Sequence, residues 1–137
     1  MERLLKIFPT PYELAEKFAK EMVIMITEAN KLGKPFTVSL SGGSTPELLF
    51  SLLGEHYAKA VSWKKVHLFW GDERCVPPDN AESNFGMTKR KFIDKIDIPS
   101  SNIHRIRGEV DPEYEAVRYS DEIMDFTQKR WGLPLFD

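Results

Sequence analysis

Between an apolar run and a leucine-rich one stands Ser41-Gly42-Gly43-Ser44-Thr45-Pro46, two glycines among three hydroxyls. At the carboxyl end of a strand, glycines let the main chain turn tightly and aim its amides outward. The helix that follows adds unpaired N–H groups and the positive end of its dipole. Gly42, Gly43, Ser44 and Thr45 can therefore cradle an anion such as a phosphate. A second reading needs no ligand: Ser44 or Thr45 caps the helix, with Glu47 as reciprocal partner if Ser44 is the cap. The two are compatible. Sharper labels fail on spacing. The phosphate loop of nucleotide hydrolases and the Gly-x-Gly-x-x-Gly dinucleotide turn are both absent. A nucleophile elbow needs glycine where Pro46 stands, which disfavours a covalent serine mechanism.

Gly71-Asp72-Glu73-Arg74 closes the next apolar run, again where ligands bind in open α/β sheets. Arg74 can hold a phosphate or carboxylate through its planar fork, and Asp72 or Glu73 can orient Arg74 or accept a substrate hydroxyl. A surface ion cluster is the plainer reading of those three charges alone, and their coincidence with the glycine loop raises them above it. Pro77 and Pro78 stiffen the loop beyond, and Ser83 or Asn84 can cap the helix that Phe85 enters. His56, His67 and His104 stand isolated, without metal-ligand spacing, and His67 fits a packing role. The lone Cys75 has no CxxC partner and reads as a reduced thiol. Lys89, Arg90 and Lys91 read as a solvated helix face.

The elements that must position these groups follow from periodicity. Thr10, Pro11 and Glu13 open a helix whose apolar series is Leu14, Phe18, Met22, Met25, Ala29 and Leu32, stopped by Gly33 and Lys34. Residues 36–40 alternate as a strand, with Phe36, Val38 and Leu40 on one face. Leu48, Leu49, Leu52 and Leu53 mark a second helix. Residues 66–70 are apolar at nearly every position, as in a strand covered on both faces. A helix carries Phe85, Phe92, Ile93 and Ile96, residues 103–106 form a short third strand, and Asp111 and Pro112 open a last helix with Val117, Ile123, Met124 and Trp131 inward. Helix followed by three strand–helix units predicts an α/β fold, a parallel sheet with helices on both faces. Residues 133–137 approach a fourth strand, so the sheet looks incomplete. Its open edge could be covered by further chain or by self-association.

The 137 residues suit one domain, residues 1–137, and 42% hydrophobic with 29% charged residues is a globular balance. A net charge of -2 argues against a nucleic-acid partner. The first ten residues lack a secretory apolar region, and no stretch approaches the roughly 18 apolar residues of a membrane helix. The expectation is a soluble, cytoplasmic protein without a membrane partner.

Three motifs, SLSGGSTPELLF, WGDERCVPPDNAESNFGM and NIHRIRGE, together resemble 6-phosphogluconolactonases, of the glucosamine-6-phosphate isomerase/deaminase-like superfamily with its Rossmann-type fold. The resemblance runs over essentially the whole chain. It implies hydrolysis of 6-phosphogluconolactone to 6-phosphogluconate in the pentose phosphate pathway, with a sugar phosphate as small-molecule partner and no metal or organic cofactor. Carried over by motif, Gly42, Gly43 and Ser44 contact the substrate phosphate. Asp72 and Arg74 line the site as its catalytic pair, Arg74 also serving as an anion clamp. The resemblance further implies that the general base is a histidine in a Gly-x-Asp-Gly-His-Thr segment following Asp137, so that these residues form the N-terminal portion of a longer lactonase domain and are inactive alone. Two alternatives remain at this stage: a noncatalytic sugar-phosphate-binding module, and an aminosugar-phosphate deaminase or isomerase. The deaminases typically carry tyrosine where Arg74 stands.

Overall fold

Thr10 starts the first helix. In the computed structural model, which describes residues 5–137, its hydroxyl accepts the Glu13 amide at 3.2 Å and Pro11 takes the first helical position, so α1 spans Pro11–Lys31. Asp111 repeats the device for α4, Pro112–Phe126, accepting the Tyr114 amide at 2.9 Å. Ser83 caps α3, Asn84–Lys91, through the Gly86 amide at 2.9 Å. Helix α2 spans Ser44–His56. Two single-turn helices, Ile93–Lys95 and Ser100–Asn102, complete the helical set among the described residues.

Strands β1 (Phe36–Leu40), β2 (Val66–Trp70) and β3 (Ile103–His104) form one parallel sheet in the order β1-β2-β3. Register runs from Phe36 opposite Val66 to Leu40 opposite Trp70, so the glycine loop and the 71–74 loop leave neighbouring strands at the same end. Side chains alternate across the sheet. Phe36, Leu40, Val66, Leu68 and Trp70 pack with Met22 and Ile26 of α1, Phe50 and Leu53 of α2, and Trp63 and Phe92. His67, Phe69 and His104 face the other way, against Phe126 of α4 and Phe136. Helices thus cover both faces of the parallel sheet. Leu53 is fully buried, and its truncation to alanine would cost about 2–5 kcal/mol.

Four details differ from the sequence reading. The buried row of α1 is Ala15, Ala19, Met22 and Ile26, while Leu14, Phe18, Met25 and Leu32 are exposed, Phe18 at 52% and Leu32 at 67%. The helix is apolar on two adjacent stripes, and the row with two alanines is the one that permits close packing. Strand β3 has two residues instead of four, because a side chain fills the place where the ladder would continue. The Tyr119 hydroxyl accepts the Trp70 amide at 2.7 Å and lies 3.0 Å and 3.1 Å from the Trp70 and His104 carbonyl oxygens. On α4 the buried residues are Glu115 and Tyr119. Val117 is exposed, Ile123 and Met124 are half-buried, and Trp131 lies beyond the helix at 86% exposure.

Residues 133–135, finally, do not extend the parallel sheet. They form β5 (Leu133–Leu135), antiparallel to β4 (Gln128–Arg130), around a turn in which Trp131 and Gly132 have φ of 54° and 79°. Asp137 then meets the outer edge of β1. Its amide donates to the Thr37 carbonyl at 2.9 Å, and its carboxylate accepts from the Thr37 amide at 2.8 Å and hydroxyl at 3.0 Å. No helix among the described residues is long and apolar enough to cross a membrane.

Candidate functional site

The glycine loop enters α2 without a side-chain cap. Gly43 is the N-cap residue, at φ 103°, a conformation that strains any residue with a Cβ, and no side chain bonds the first turn. Ser44 therefore lies inside the helix. The capping role suggested for Ser44 or Thr45, with Glu47 as partner if Ser44 is the cap, is overturned: both lie inside the helix, and Glu47 instead reaches Lys91 at 3.2 Å. Helices α1, α3 and α4 all carry an oxygen from a side chain at this position. The first-turn amides of α2 face outward beside the exposed Ser44 and Thr45.

Asn84 joins this loop to the next one. A Cβ on Gly42 would stand 1.9 Å from the Asn84 Oδ1, so only glycine lets the main chain lie against that amide. The Asn84 Nδ2 in turn donates to the Asp72 carbonyl at 3.2 Å. Glu73 fastens the second loop from the other side. One carboxylate oxygen accepts the Arg74 and Asn84 amides at 2.8 and 2.7 Å, and the other accepts the Ser83 hydroxyl and Phe85 amide, both at 2.9 Å. The carboxylate sits on the N-terminus of α3, where the helix dipole favours a negative charge. Glu73 thus holds Arg74 by its main chain, and its guanidinium is left free. With Glu73 turned inward, Asp72 and Arg74 are exposed at the carboxyl end of β2, and neither side chain makes an ion pair among the described residues.

A cleft of about 280 Å³ opens beside them, lined by Asp72, Arg74, Cys75, Arg107, Gly108 and Tyr119 with their neighbours. Burial pushes the Tyr119 hydroxyl well above the usual tyrosine range, against the hydrogen bond from Trp70, so it stays a neutral structural group. Among the described residues no group of three or more His, Cys, Asp or Glu side chains could hold a metal ion. His67 and His104 are not isolated. Their ring nitrogens meet at 3.0 Å, and the other His104 nitrogen meets Glu122 at 2.7 Å, on the α4 face of the sheet.

The sequence-derived candidates therefore fall into one region: Gly42, Gly43, Ser44 and Thr45 after β1, and Asp72 and Arg74 after β2. The reading had Glu73 as a group that could orient Arg74, which it does through the Arg74 amide, but missed its bonds to the start of α3, Asn84 as the wedge between the loops and Arg107 on the cleft. Only a Cβ-free glycine at 42 hinted at Asn84.

The chain as a whole is similar to known proteins. Residues 9–137 match the family described as glucosamine-6-phosphate isomerases/6-phosphogluconolactonase. The chain belongs to this family. It is 46% identical over 117 residues to a Haemophilus influenzae protein named 6-phosphogluconolactonase, a match covering 85% of this chain and 49% of the relative. Among solved structures it resembles the devB protein, with 44% identity and a TM-score of 0.84, over 96% of this chain and 54% of that one. It also resembles 6-phosphogluconolactonase from Trypanosoma cruzi, with 31% identity and a TM-score of 0.79, over 96% and 55% of the two chains. The chain spans about half the length of the curated relatives it matches.

Proposed function

We propose that this chain supplies the substrate-anchoring part of a 6-phosphogluconolactonase, a cytoplasmic enzyme of the pentose phosphate pathway that hydrolyses the lactone ester of 6-phosphogluconolactone. The observation that carries the reading is the uncapped N-terminus of α2 standing beside the free side chains of Asp72 and Arg74. The amides after Gly42 and Gly43, with the Ser44 and Thr45 hydroxyls, hold the phosphate, where the helix dipole and a polarised N–H set favour a dianion. Arg74 clamps the anion and Asp72 accepts a sugar hydroxyl. The match to relatives named as lactonases supports this over the deaminase reading.

In the hydrolysis, water adds to the lactone carbonyl and the ring oxygen leaves as a hydroxyl, taking up a proton. His67 and His104 are committed to each other and to Glu122, so we assign water activation to a histidine segment expected after position 137. A positioned base contributes about 10²–10⁴-fold. The 137-residue chain should therefore bind 6-phosphogluconate yet open freshly generated lactone no faster than the spontaneous rate. Joined to the histidine segment of a relative, it should turn over, and Arg74→Gln should weaken binding in both forms. A chain that binds the sugar phosphate and stays inactive with the segment present would favour the noncatalytic module. Turnover by the 137 residues alone, lost on Asp72→Asn, would place the base within them.

A further inference from the structure

Arg107 lines the same cleft as Arg74, in the loop that follows β3, and its position is built. Its amide donates to the Glu115 carboxylate at 2.7 Å. The next residue, Gly108, presses on the 74–76 main chain so closely that a Cβ there would lie 2.1 Å from the Arg74 carbonyl oxygen. Arg105 and Glu109 close the same loop with two bonds of 2.6 and 2.9 Å. The main chain is thus held from three directions, while the Arg107 side chain is exposed, lines the cleft and makes no salt bridge among the described residues. Two carboxylates near it are already engaged, Glu109 by Arg105 and Glu115 by Arg118 together with the Arg107 amide, and Asp72 is the unpaired acid on the same cleft. Its five donors remain available in a cleft whose other free guanidinium is Arg74.

Sheet order says which end of a ligand this cation meets. The glycine loop ends β1, Arg74 follows the central β2, and Arg107 follows β3. The ends of β1 and β3 are two strand spacings apart, roughly 10 Å. An extended six-carbon acid with a terminal phosphate reaches from one to the other. Building on the reading of the glycine loop as the phosphate site, we propose that Arg107 forms a second anion subsite, which takes the carboxyl end of an aldonic acid phosphate through its planar fork.

The test compares two ligands of equal length, 6-phosphogluconate and glucitol 6-phosphate, which lacks the carboxylate. The wild-type chain should prefer 6-phosphogluconate by about tenfold or more, the scale of one charge-assisted pair. Arg107→Gln should abolish that preference while leaving glucitol 6-phosphate affinity and melting temperature unchanged, and Arg107→Lys should restore part of it. Lys59→Gln, the same charge change at an exposed position, should alter neither. Equal weakening of both ligands by Arg107→Gln would overturn the assignment, since it would place Arg107 on the phosphate or in the general field. Undiminished preference would also overturn it and leave the phosphate site standing. Failure of the wild type to bind either ligand would instead bring down the glycine-loop reading and this subsite together.

Discussion

Glu73 shows how one carboxylate can organise a site without entering it. Four donors converge on its two oxygens, three of them main-chain amides with no other acceptor among the described residues. A glutamine would offer one acceptor oxygen and turn an NH2 toward hydrogens that already point inward. Hydrogen bonds to a charged group are worth about 1.5–3 kcal/mol each, and a stranded donor costs a similar amount. Glu73→Gln should therefore destabilise the chain by about 2–3 kcal/mol in urea denaturation. It should also weaken 6-phosphogluconate binding, because the Arg74 amide and the Asn84 wedge lose their common anchor. Glu73→Asp should not rescue it, being one methylene too short to span Arg74 and Phe85. Full stability in Glu73→Gln would mean that water or a neighbouring oxygen satisfies those amides.

Strands β2 and β3 are joined to α4 by a chain of polar groups that the element pattern alone conceals. His104 is buried, donates to Glu122 and meets His67, while Arg118 binds both Glu115 and Glu122. On the far side of Glu122 the balance is between burial, which raises its pKa, and its bonds to His104 and Arg118, which together lower it. With a hydrogen on the Glu122-facing nitrogen of His104, one further hydrogen bridges the two rings. Burial first, and then the charge of the neighbouring His104, hold the His67 pKa below its usual 6.5. A native pKa below the unfolded one means that the unfolded chain binds more protons in that window. Stability is full above the unfolded value, and it falls as pH drops through 6.5 toward the native value. Melting temperatures over about pH 5 to 8 should show this decline, and His67→Phe, placed among Phe126 and the His104 ring, should flatten it. An unchanged slope in that variant would assign the acid sensitivity to another group.

Across the whole molecule, the sequence was most legible where a local rule suffices and least where a distant partner decides. Thr10, Ser83 and Asp111 could be read as caps because the amides they accept from lie within one helical turn. The parallel α/β arrangement followed from alternation and spacing, and the glycine loop from residue type. By contrast, Glu73 answers to residues ten to twelve positions away, Tyr119 truncates β3 from another helix, and α1 buries its alanine row because of what packs against it. That last choice leaves Leu14, Phe18, Met25 and Leu32 as an apolar stripe at helical spacing, while β1 presents an outer edge that Asp137 meets only at Thr37. Exposed apolar surface and an unpaired strand edge both promote association between chains. The 137-residue chain should therefore self-associate as its concentration rises, in sedimentation velocity at two loadings. Phe18→Glu and Met25→Glu should shift it toward monomer, and should cost no more than about 1 kcal/mol of stability each, since each side chain is about half exposed. Association that persists in this pair would move the contact to the β1 edge. A wild-type chain that stays monomeric at both loadings would show that neither surface is adhesive as it stands.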